Sequence, residues 1–174
     1  MKKLLLVIDM QNDFINGSLG TKEAVAIVPK VMKKILAFDG DVLFTKDTHA
    51  RDYMSTQEGK NLPVQHCVKG TDGWRFDPLI EKVYLETGGE AIEKNTFGAK
   101  QLPALLAEKY PEGLESIELC GLCTDICVIS NALLLKAYYP ETTIAVDSTC
   151  CAGVTPQSHE NALAAMKMCQ IRIL

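Results

Sequence analysis

The sequence predicts an α/β protein built on a parallel β-sheet with helices on both faces. Short apolar runs alternate along the chain with longer segments in which apolar residues recur at helical spacing. The first of these runs is continuously apolar and stops at a polar cluster, as a strand buried on both faces does. Repeated alternation of strand and helix is typical of a sheet that lies between two layers of helices.

Six strands and four helices follow from these patterns. The predicted strands are residues 4–8, 41–47, 90–94, 116–121, 142–148 and 169–174. The predicted helices are residues 23–38, 99–110, 124–139 and 155–168. We see no internal repeat and no linker, so residues 1–174 are expected to form a single domain.

The elements of the first half are justified by hydrophobic periodicity. Leu4–Ile8 is wholly apolar and ends at Asp9, which predicts the first buried strand. The first helix contains Pro29, which indicates a start or a kink. Its apolar residues at helical spacing are Val25, Val28, Met32, Ile35 and Leu36. The segment "DVLFTKD" is the second strand, and a polar, glycine-rich stretch without a predicted element follows from Thr48 to about Trp74.

The second half repeats the alternation more regularly. "EAIEK" is a short third strand, "AKQLPALLAEKY" a helix and "SIELCG" the fourth strand. The next helix, "TDICVISNALLLKAYY", is expected to present one apolar face, made of Ile126, Ile129, Leu133 and Leu134. "TTIAVDS" is the fifth strand. The last helix begins with Thr155 as N-cap and Pro156 at its first position, and "CQIRIL" is the sixth strand.

Composition limits the possible partners and compartment. Apolar residues make up 47% of the chain and charged residues 23%, as in ordinary globular proteins. A net charge of -4 argues against nucleic acid or an anionic membrane as the partner. The apolar run after the two N-terminal lysines is too short for a signal peptide or a membrane span, so we expect a cytoplasmic protein.

Reactive side chains follow the ends of four predicted strands. Asp9 ends the first strand, Asp47 and His49 the second and Lys94 the third, while Cys127 comes just after the fourth. Ligands of such sheets bind outside the carboxyl ends of the strands. Each residue alone has a plain structural explanation, such as a turn, a helix cap or a solvated surface position. All of them at one edge of the sheet indicate a functional site.

The cysteines of "CGLCTDICV" could serve several purposes. Cys120, Cys123 and Cys127 could be metal ligands, disulfide partners, packing residues, or one nucleophile with two neighbours. The chain has 7 cysteines, and an odd number cannot all pair within one molecule. Cys120 and Cys123 have zinc-ligand spacing, but the candidate partners Cys150 and Cys151 are adjacent rather than spaced, which disfavours a cysteine–zinc site.

Three short motifs carry a family resemblance. "DMQNDF", "KNTF" and "GLCTDICV" resemble the three motifs of the isochorismatase-like cysteine hydrolases, a superfamily that includes nicotinamidases. "TKDTH" and "PVQHCVKGTDGW" are similar to its metal-site segments. The resemblance extends from Leu4 to the last strand. It implies a three-layer, doubly wound sheet of six mostly parallel strands in the order 3-2-1-4-5-6.

The resemblance also implies a catalytic triad of Asp9, Lys94 and Cys127. A cysteine in the first turn of a helix beside a lysine is expected to favour its thiolate, and an aspartate can accept and return the proton. The resemblance assigns the oxyanion hole to the backbone N–H groups of Cys123 and Cys127, with a cis peptide bond between Leu122 and Cys123. Cys120 is then expected to be a packing residue, and the same is expected of four further cysteines: Cys67, Cys150, Cys151 and Cys169.

A separate metal site is expected in the polar segment. Asp47 and His49 occupy alternate positions past a strand end, and His66 and Glu58 follow. Two histidines with two carboxylates suit one divalent metal, zinc first, with manganese or iron as alternatives. The resemblance supports Asp47, His49 and His66, while members of the family differ at the position of Glu58. Without the resemblance, a helix cap and ordinary loop hydrogen bonds would explain these residues. His159, on the last helix, is expected at the surface.

The expected activity is hydrolysis of a small amide. The resemblance places Phe14 at the pocket, and Trp74 is a second aromatic candidate, either as a pocket wall or as plain packing. Nicotinamide is the leading substrate, in a role in NAD salvage, and N-carbamoyl or ureido compounds are the alternative. Cys127 argues against isochorismate, a vinyl ether whose cleavage in this superfamily does not use the cysteine. A non-catalytic binding protein on the same fold is the second class, and the family suggests a homo-oligomer.

Overall fold

The structure, a computed structural model, describes residues 1–174 and contains one six-stranded sheet between two helical layers. The strands are β1 (Lys2–Ile8), β2 (Asp41–Asp47), β3 (Glu90–Lys94), β4 (Leu114–Leu122), β5 (Thr143–Ala152) and β6 (Arg172–Ile173). The helices are α1 (Asn12–Ile15), α2 (Lys22–Ala37), α3 (Gln57–Asn61), α4 (Pro78–Glu86), α5 (Leu102–Lys109), α6 (Ile129–Tyr138) and α7 (Pro156–Met168). A 3₁₀ turn (Tyr53–Ser55) and a π-helical turn (Thr124–Val128) complete the regular structure.

All strands of the sheet are parallel, and their order is β3-β2-β1-β4-β5-β6. This is the order that the family resemblance implies, and the predicted fold class is confirmed. From β1 the chain moves to one side through β2 and β3, and then crosses over to β4 on the other side. Right-handed crossovers therefore place α2 and α4 on one face and α5, α6 and α7 on the other. The crevice where the order reverses lies between β1 and β4.

The core lies on both faces of the two central strands. A single cluster of 41 buried apolar residues includes the whole Leu4–Ile8 run, which has no exposed surface. A run without polar alternation is what a central parallel strand requires, because neither of its faces meets water. No helix is both long and apolar enough to cross a membrane.

The helix phases differ from the predicted ones. In α2 the buried residues are Ala24, Ile27, Val28, Val31 and Ile35. The predicted apolar positions Val25 and Leu36 are about half exposed, at 49% and 56%. Apolar residues occur around most of this helix, so its contacts with β5 and α4, rather than spacing alone, decide which side is buried. In α6, Leu133 is similarly exposed, and Ala132 and Leu135 are buried instead.

Helices α1, α3 and α4 were not predicted, and β5 is longer than predicted. Helix α4 was not predicted, although Asp77 caps it through a hydrogen bond to the Leu79 N–H and Pro78 occupies its first turn. Strand β5 continues past Ser148 to Ala152, across a register shift relative to β4. The shift inserts extra residues into β5, which interrupts the apolar pattern and hides the end of the strand from a sequence reading.

Candidate active site

A cavity of about 570 Å³ opens at the carboxyl edge of the sheet, where the strand order reverses. Its walls come from the segments after β1, β2, β3, β4 and β5, so five strands contribute to one site. The lining residues are Phe14, Leu19, Asp47, Gln57, Glu58, Asn61, Leu62, His66, Asn95, Thr96, Phe97, Cys123, Ile126, Cys127 and Val154.

The structure brings Asp9, Lys94 and Cys127 together beside this cavity. The Lys94 Nζ lies 2.6 Å from Asp9 Oδ2 and donates a hydrogen bond of 3.4 Å to Cys127 Sγ. The side chains of Asp9 and Lys94 have no exposed surface, and Cys127 is 4% exposed. Apart from the ion pair, the buried Asp9 Oδ2 has no hydrogen-bond partner. The Lys94 ammonium therefore lies between Asp9 Oδ2 and Cys127 Sγ, within contact of both.

Asp9 is held by its neighbours in a fixed orientation. Its φ is +45°, in the left-handed region that aspartate tolerates better than most residues. The hydroxyl of Thr45 donates a 2.6 Å hydrogen bond to Asp9 Oδ1, so Oδ2 alone faces Lys94. Thr45 lies on β2, and its side chain is fully buried. The sequence patterns gave no sign of Thr45, because its role depends on the pairing of β1 with β2.

Gly121 allows β4 to approach β1 closely, just before Asp9. This residue pairs with Ile8 and has a φ of +116°. A Cβ at this position would lie 2.1 Å from the carbonyl oxygen of Ile8. Any other residue would therefore push β4 away from β1 at the strand-order reversal, and Cys127 with it.

Cys127 lies in a π-helical turn that leads directly into α6. The peptide bond between Leu122 and Cys123 is cis, as the resemblance implied. The Val128 N–H donates to the Cys123 carbonyl, which closes the wide turn. Because this turn begins the helical segment, its first N–H groups form the positive end of the helix dipole. Cys127 therefore lies in a turn whose local field favours negative charge.

Burial and neighbouring charges shift the pKa values of this group. Burial raises the pKa of the Cys127 thiol well above its usual value, the Asp9 carboxylate raises it further, and the Lys94 ammonium lowers it. Burial also raises the pKa of Asp9, and the Lys94 charge offsets this only in part. For Lys94, burial lowers the pKa, but Asp9, Cys127 and Asp47 raise it more, and the ammonium remains charged.

Four side chains form a compact cluster beside the cavity, and three of them, Asp47, Glu58 and His66, line it. One donor atom each from Asp47, His49, Glu58 and His66 lies within 4.8 Å of all the others. His49 Nε2 is 2.9 Å from Asp47 Oδ2, and His66 Nε2 is 3.5 Å from the same oxygen. Both imidazole nitrogens are 3.7 Å from Glu58 Oε1. The geometry therefore places Glu58 with the other three residues.

The donor set fits a divalent cation. His66 Nδ1 donates a 2.8 Å hydrogen bond to the Val64 carbonyl, so in the neutral ring Nε2 carries a lone pair toward the carboxylates. Converging lone pairs repel one another unless a cation or a proton lies between them. Burial would raise the pKa of Asp47, yet the neighbouring His49 and His66 rings and the Lys94 charge hold it well below its usual range. An ionised carboxylate with two imidazoles is the donor chemistry that zinc prefers.

The "DMQNDF" segment supports both groups through residues whose roles the sequence did not reveal. Gln11 accepts a hydrogen bond from the Asp47 N–H (2.7 Å) and donates to the Asp47 and Trp74 carbonyls (2.8 and 2.9 Å). Asp13 Oδ2 accepts the Cys67 N–H at 2.8 Å and so fixes the residue after His66. Such support orients the ligands of a metal site.

Asn131 provides a second support, which joins the loop after β3 to helix α6. Asn131, on α6, is fully buried. Its amide nitrogen donates to the carbonyls of Cys127 (2.8 Å) and Phe97 (3.2 Å), and its oxygen accepts the Ala99 N–H (2.9 Å). The segments of Lys94 and Cys127 are thereby tied to each other. A polar residue at a buried position of an apolar helix was the available sequence signal.

The two aromatic candidates lie in different places. Phe14 lines the cavity and packs against His66, with ring centroids 5.5 Å apart. Trp74 does not line the cavity. Its indole N–H donates to the Thr48 hydroxyl, and the Lys46 ammonium sits 3.4 Å from the centroid of one of its rings. Trp74 therefore packs against Thr48 and Lys46, next to Asp47. This is the packing role that the sequence analysis gave as one of two alternatives.

The remaining cysteines fall into two groups. Cys67, Cys120, Cys150 and Cys151 are buried, whereas Cys169 is exposed and is not the packing residue expected. All 7 are free thiols, and the candidate metal cluster contains none of them. Cys123 lines the cavity beside Cys127. The cysteine–zinc alternative finds no support in this arrangement.

Comparisons with known proteins agree with this geometry. The sequence profile of the Isochorismatase domain matches residues 3–173. The chain is 25% identical over 190 residues to the nicotinamidase/pyrazinamidase of Mycobacterium tuberculosis, with 99% of this chain and 98% of that protein covered.

Solved structures show the same fold. The pyrazinamidase of Pyrococcus horikoshii, determined in complex with zinc, superposes with a TM-score of 0.82 at 27% identity, covering 100% of this chain and 99% of that one. N-carbamoylsarcosine amidase of Thermoplasma acidophilum superposes with a TM-score of 0.78 at 25% identity, covering 99% and 95%.

Proposed function

The chain belongs to the isochorismatase family, and from that premise we propose that it hydrolyses nicotinamide to nicotinate and ammonia through a thioester on Cys127. The observation that carries the proposal is the buried contact of Asp9, Lys94 and Cys127 next to a cavity whose wall holds the two-histidine, two-carboxylate cluster. Relatives named as nicotinamidase and pyrazinamidase support the substrate class.

Asp9 and Lys94 would prepare the nucleophile. The thiol would pass its proton to Asp9, whose pKa burial raises. The Lys94 ammonium, 3.4 Å from Cys127 Sγ, then stabilises the thiolate that forms. Since burial and the Asp9 carboxylate raise the pKa of the thiol, proton transfer would accompany the attack on the substrate rather than precede it.

The reaction then runs in two stages. The thiolate attacks the carboxamide carbon, and the backbone N–H groups of Cys123 and Cys127 stabilise the oxyanion. Asp9 returns its proton to the leaving nitrogen, so that ammonia departs and a thioester remains. Water, deprotonated by Asp9, adds to the thioester carbon. Collapse of that intermediate releases the carboxylic acid and restores the thiol on Cys127.

Asp47, His49, Glu58 and His66 would hold one divalent metal, zinc first. When bound, the metal supplies a Lewis-acid site for a neutral nitrogen donor such as the pyridine nitrogen. Phe14, on the same wall, offers a ring face against which a flat substrate can stack. These residues would fix the ring so that the carboxamide meets Cys127 in one orientation.

A second substrate class has its own support. The chain also resembles an N-carbamoylsarcosine amidase, and the cavity of about 570 Å³ exceeds what a single pyridine ring fills. An N-carbamoyl compound would use the same three residues but would not need an aromatic wall or a ring nitrogen.

The decisive experiment compares kcat/KM for nicotinamide, benzamide and an N-carbamoyl amino acid on zinc-reconstituted protein. We expect nicotinamide to be the best substrate and benzamide, which lacks the ring nitrogen, to be much poorer. Equal rates for nicotinamide and benzamide would refute the orienting role of the metal site. A preference for the N-carbamoyl compound would favour the second class.

A matched pair of variants tests the nucleophile. Cys127→Ala should abolish ammonia release while the circular dichroism spectrum stays unchanged. Cys120→Ala removes a buried thiol that does not line the cavity, and it should retain most of the activity with a small loss of stability. Wild-type turnover by Cys127→Ala would disprove the mechanism.

A further inference from the structure

The third histidine of the chain contacts the nucleophile turn from behind. His159 lies on α7, and its side chain is 16% exposed rather than fully at the surface as predicted. A 2.8 Å hydrogen bond joins its Nδ1 to the hydroxyl of Thr124, the first residue of the π-helical turn. His159 does not line the cavity, so it cannot touch a substrate there.

Thr124 is placed so that its side-chain contacts can fix the position of the π-helical turn. It follows Cys123 directly and precedes Cys127 by one helical turn, and it has no exposed surface. The bond to His159 is the one hydrogen bond that its hydroxyl makes. A buried hydroxyl without a partner is unfavourable, so this bond selects both the rotamer of Thr124 and the distance between the turn and α7.

The segment before α7 fastens the next residue of the turn as well. The Val154 N–H lies 3.2 Å from both carboxylate oxygens of Asp125. This segment packs closely on the helix, since a Cβ at Gly153 would lie 2.8 Å from the His159 backbone nitrogen. The two residues after Cys123 are therefore held by α7 and by the segment that leads into it.

We propose that His159 is a positioning residue that acts through Thr124 to hold the Cys123–Cys127 turn in its reactive geometry. The inference rests on the proposed function, because it concerns the same nucleophile and the same oxyanion donors. The physical reason is that the thiol of Cys127 and the N–H groups of the turn must meet one carbonyl group at the same time. A displacement of about 1 Å at such a site can lower the rate by up to about a hundredfold.

The test uses a double-mutant cycle on the full-length, metal-loaded protein. His159→Ala and Thr124→Val should each lower kcat for nicotinamide about tenfold and leave KM nearly unchanged, since neither residue contacts the substrate. The double variant should be no worse than either single variant, because one hydrogen bond is lost in all three. His159→Asn, which can place an amide where Nδ1 was, and Thr124→Ser should restore most of kcat. Lys167→Ala, an exposed position on the same helix, is the control.

A second readout does not need a substrate. Hydrogen–deuterium exchange of the peptide that contains Cys123–Val128 should be faster in His159→Ala and Thr124→Val, and near wild type in His159→Asn and Lys167→Ala. If the wild type releases no ammonia from any amide, the proposed function fails and exchange alone decides this inference. A wild-type kcat in His159→Ala would overturn the inference. If the wild type is inactive, unchanged exchange in His159→Ala would overturn it. Additive effects of the two single variants would also overturn it.

Discussion

Removal of the Lys94 charge should destabilise the fold through Asp9 rather than through lost packing. Lys94→Met keeps the length and volume of the side chain but leaves a fully buried carboxylate without its cation. At 2.6 Å the attraction is about 6 kcal/mol for an effective dielectric constant of about 20. Protonation of Asp9 recovers part of this, so we expect a loss of about 3–5 kcal/mol in the free energy of unfolding at pH 7.

A double-mutant cycle separates the ion pair from other effects. Asp9→Asn keeps an oxygen that can accept the Thr45 hydroxyl, and Asp47, 3.5 Å from Lys94 Nζ, still balances the lysine in that variant. Asp9→Asn should therefore cost less than Lys94→Met. The double variant should recover about 3 kcal/mol relative to the sum of the single losses.

The assay is urea unfolding followed by fluorescence, with EDTA present so that metal binding does not contribute. In Lys94→Met, burial without Lys94 raises the folded-state pKa of Asp9 further above its unfolded value of 3.8. The folded state then binds more protons than the unfolded state, so stability rises as the pH falls. The deficit of the variant should therefore shrink between pH 8 and pH 5. A loss below about 1 kcal/mol at pH 7, or no coupling in the cycle, would refute this reasoning.

Three further changes test the supports of the site and the outer layers. Gln11→Glu places a carboxylate oxygen against the two backbone carbonyls to which Gln11 donates. Zinc affinity, measured by competition with a chelator, should fall about 10–100-fold. Unchanged affinity would contradict the role of Gln11 in supporting Asp47. Asn131→Leu leaves buried backbone groups unpaired and should lose about 3 kcal/mol in urea unfolding as well as activity; wild-type stability would contradict this. Burial raises the pKa of the Asp147 carboxyl, but the Lys34 ammonium lowers it more and holds it below its usual value. The stability that this ion pair contributes is therefore present above pH 3.8 and is lost in acid. Asp147→Asn should cost about 1 kcal/mol at pH 7 in urea unfolding, and the difference should fade below pH 3.8; a constant difference would contradict the ion pair.

The strands were the most predictable part of the fold. The second and third strands have the predicted bounds, because each ends at a charged residue: Asp47 in β2 and Lys94 in β3. Helix α4 was missed because it follows a long polar segment, even though Asp77-Pro78 is an N-terminal signal. Its existence depends on α2, against which it packs.

The candidate site divides in the same way. The sequence identified four site residues because each lies at or just after the end of a strand, and parallel strands end at one edge of the sheet. These residues are Asp9, Asp47, Lys94 and Cys127. The burial that raises the pKa of both Cys127 and Asp9 could not be predicted, because a sequence does not show that the two residues are shielded from water.

The sequence by itself determined the parallel sheet, its six strands and the residues at their carboxyl ends, since periodicity and strand-end position are local properties of the chain. Only the tertiary structure decided which side chains support that edge. Thr45 and His159 make hydrogen bonds to residues distant in sequence, and Asn131 does the same with Phe97 and Ala99. Such bonds depend on distances of about 3 Å between separate elements. No local pattern encodes those distances, because they arise only when the strands pair and the helices pack.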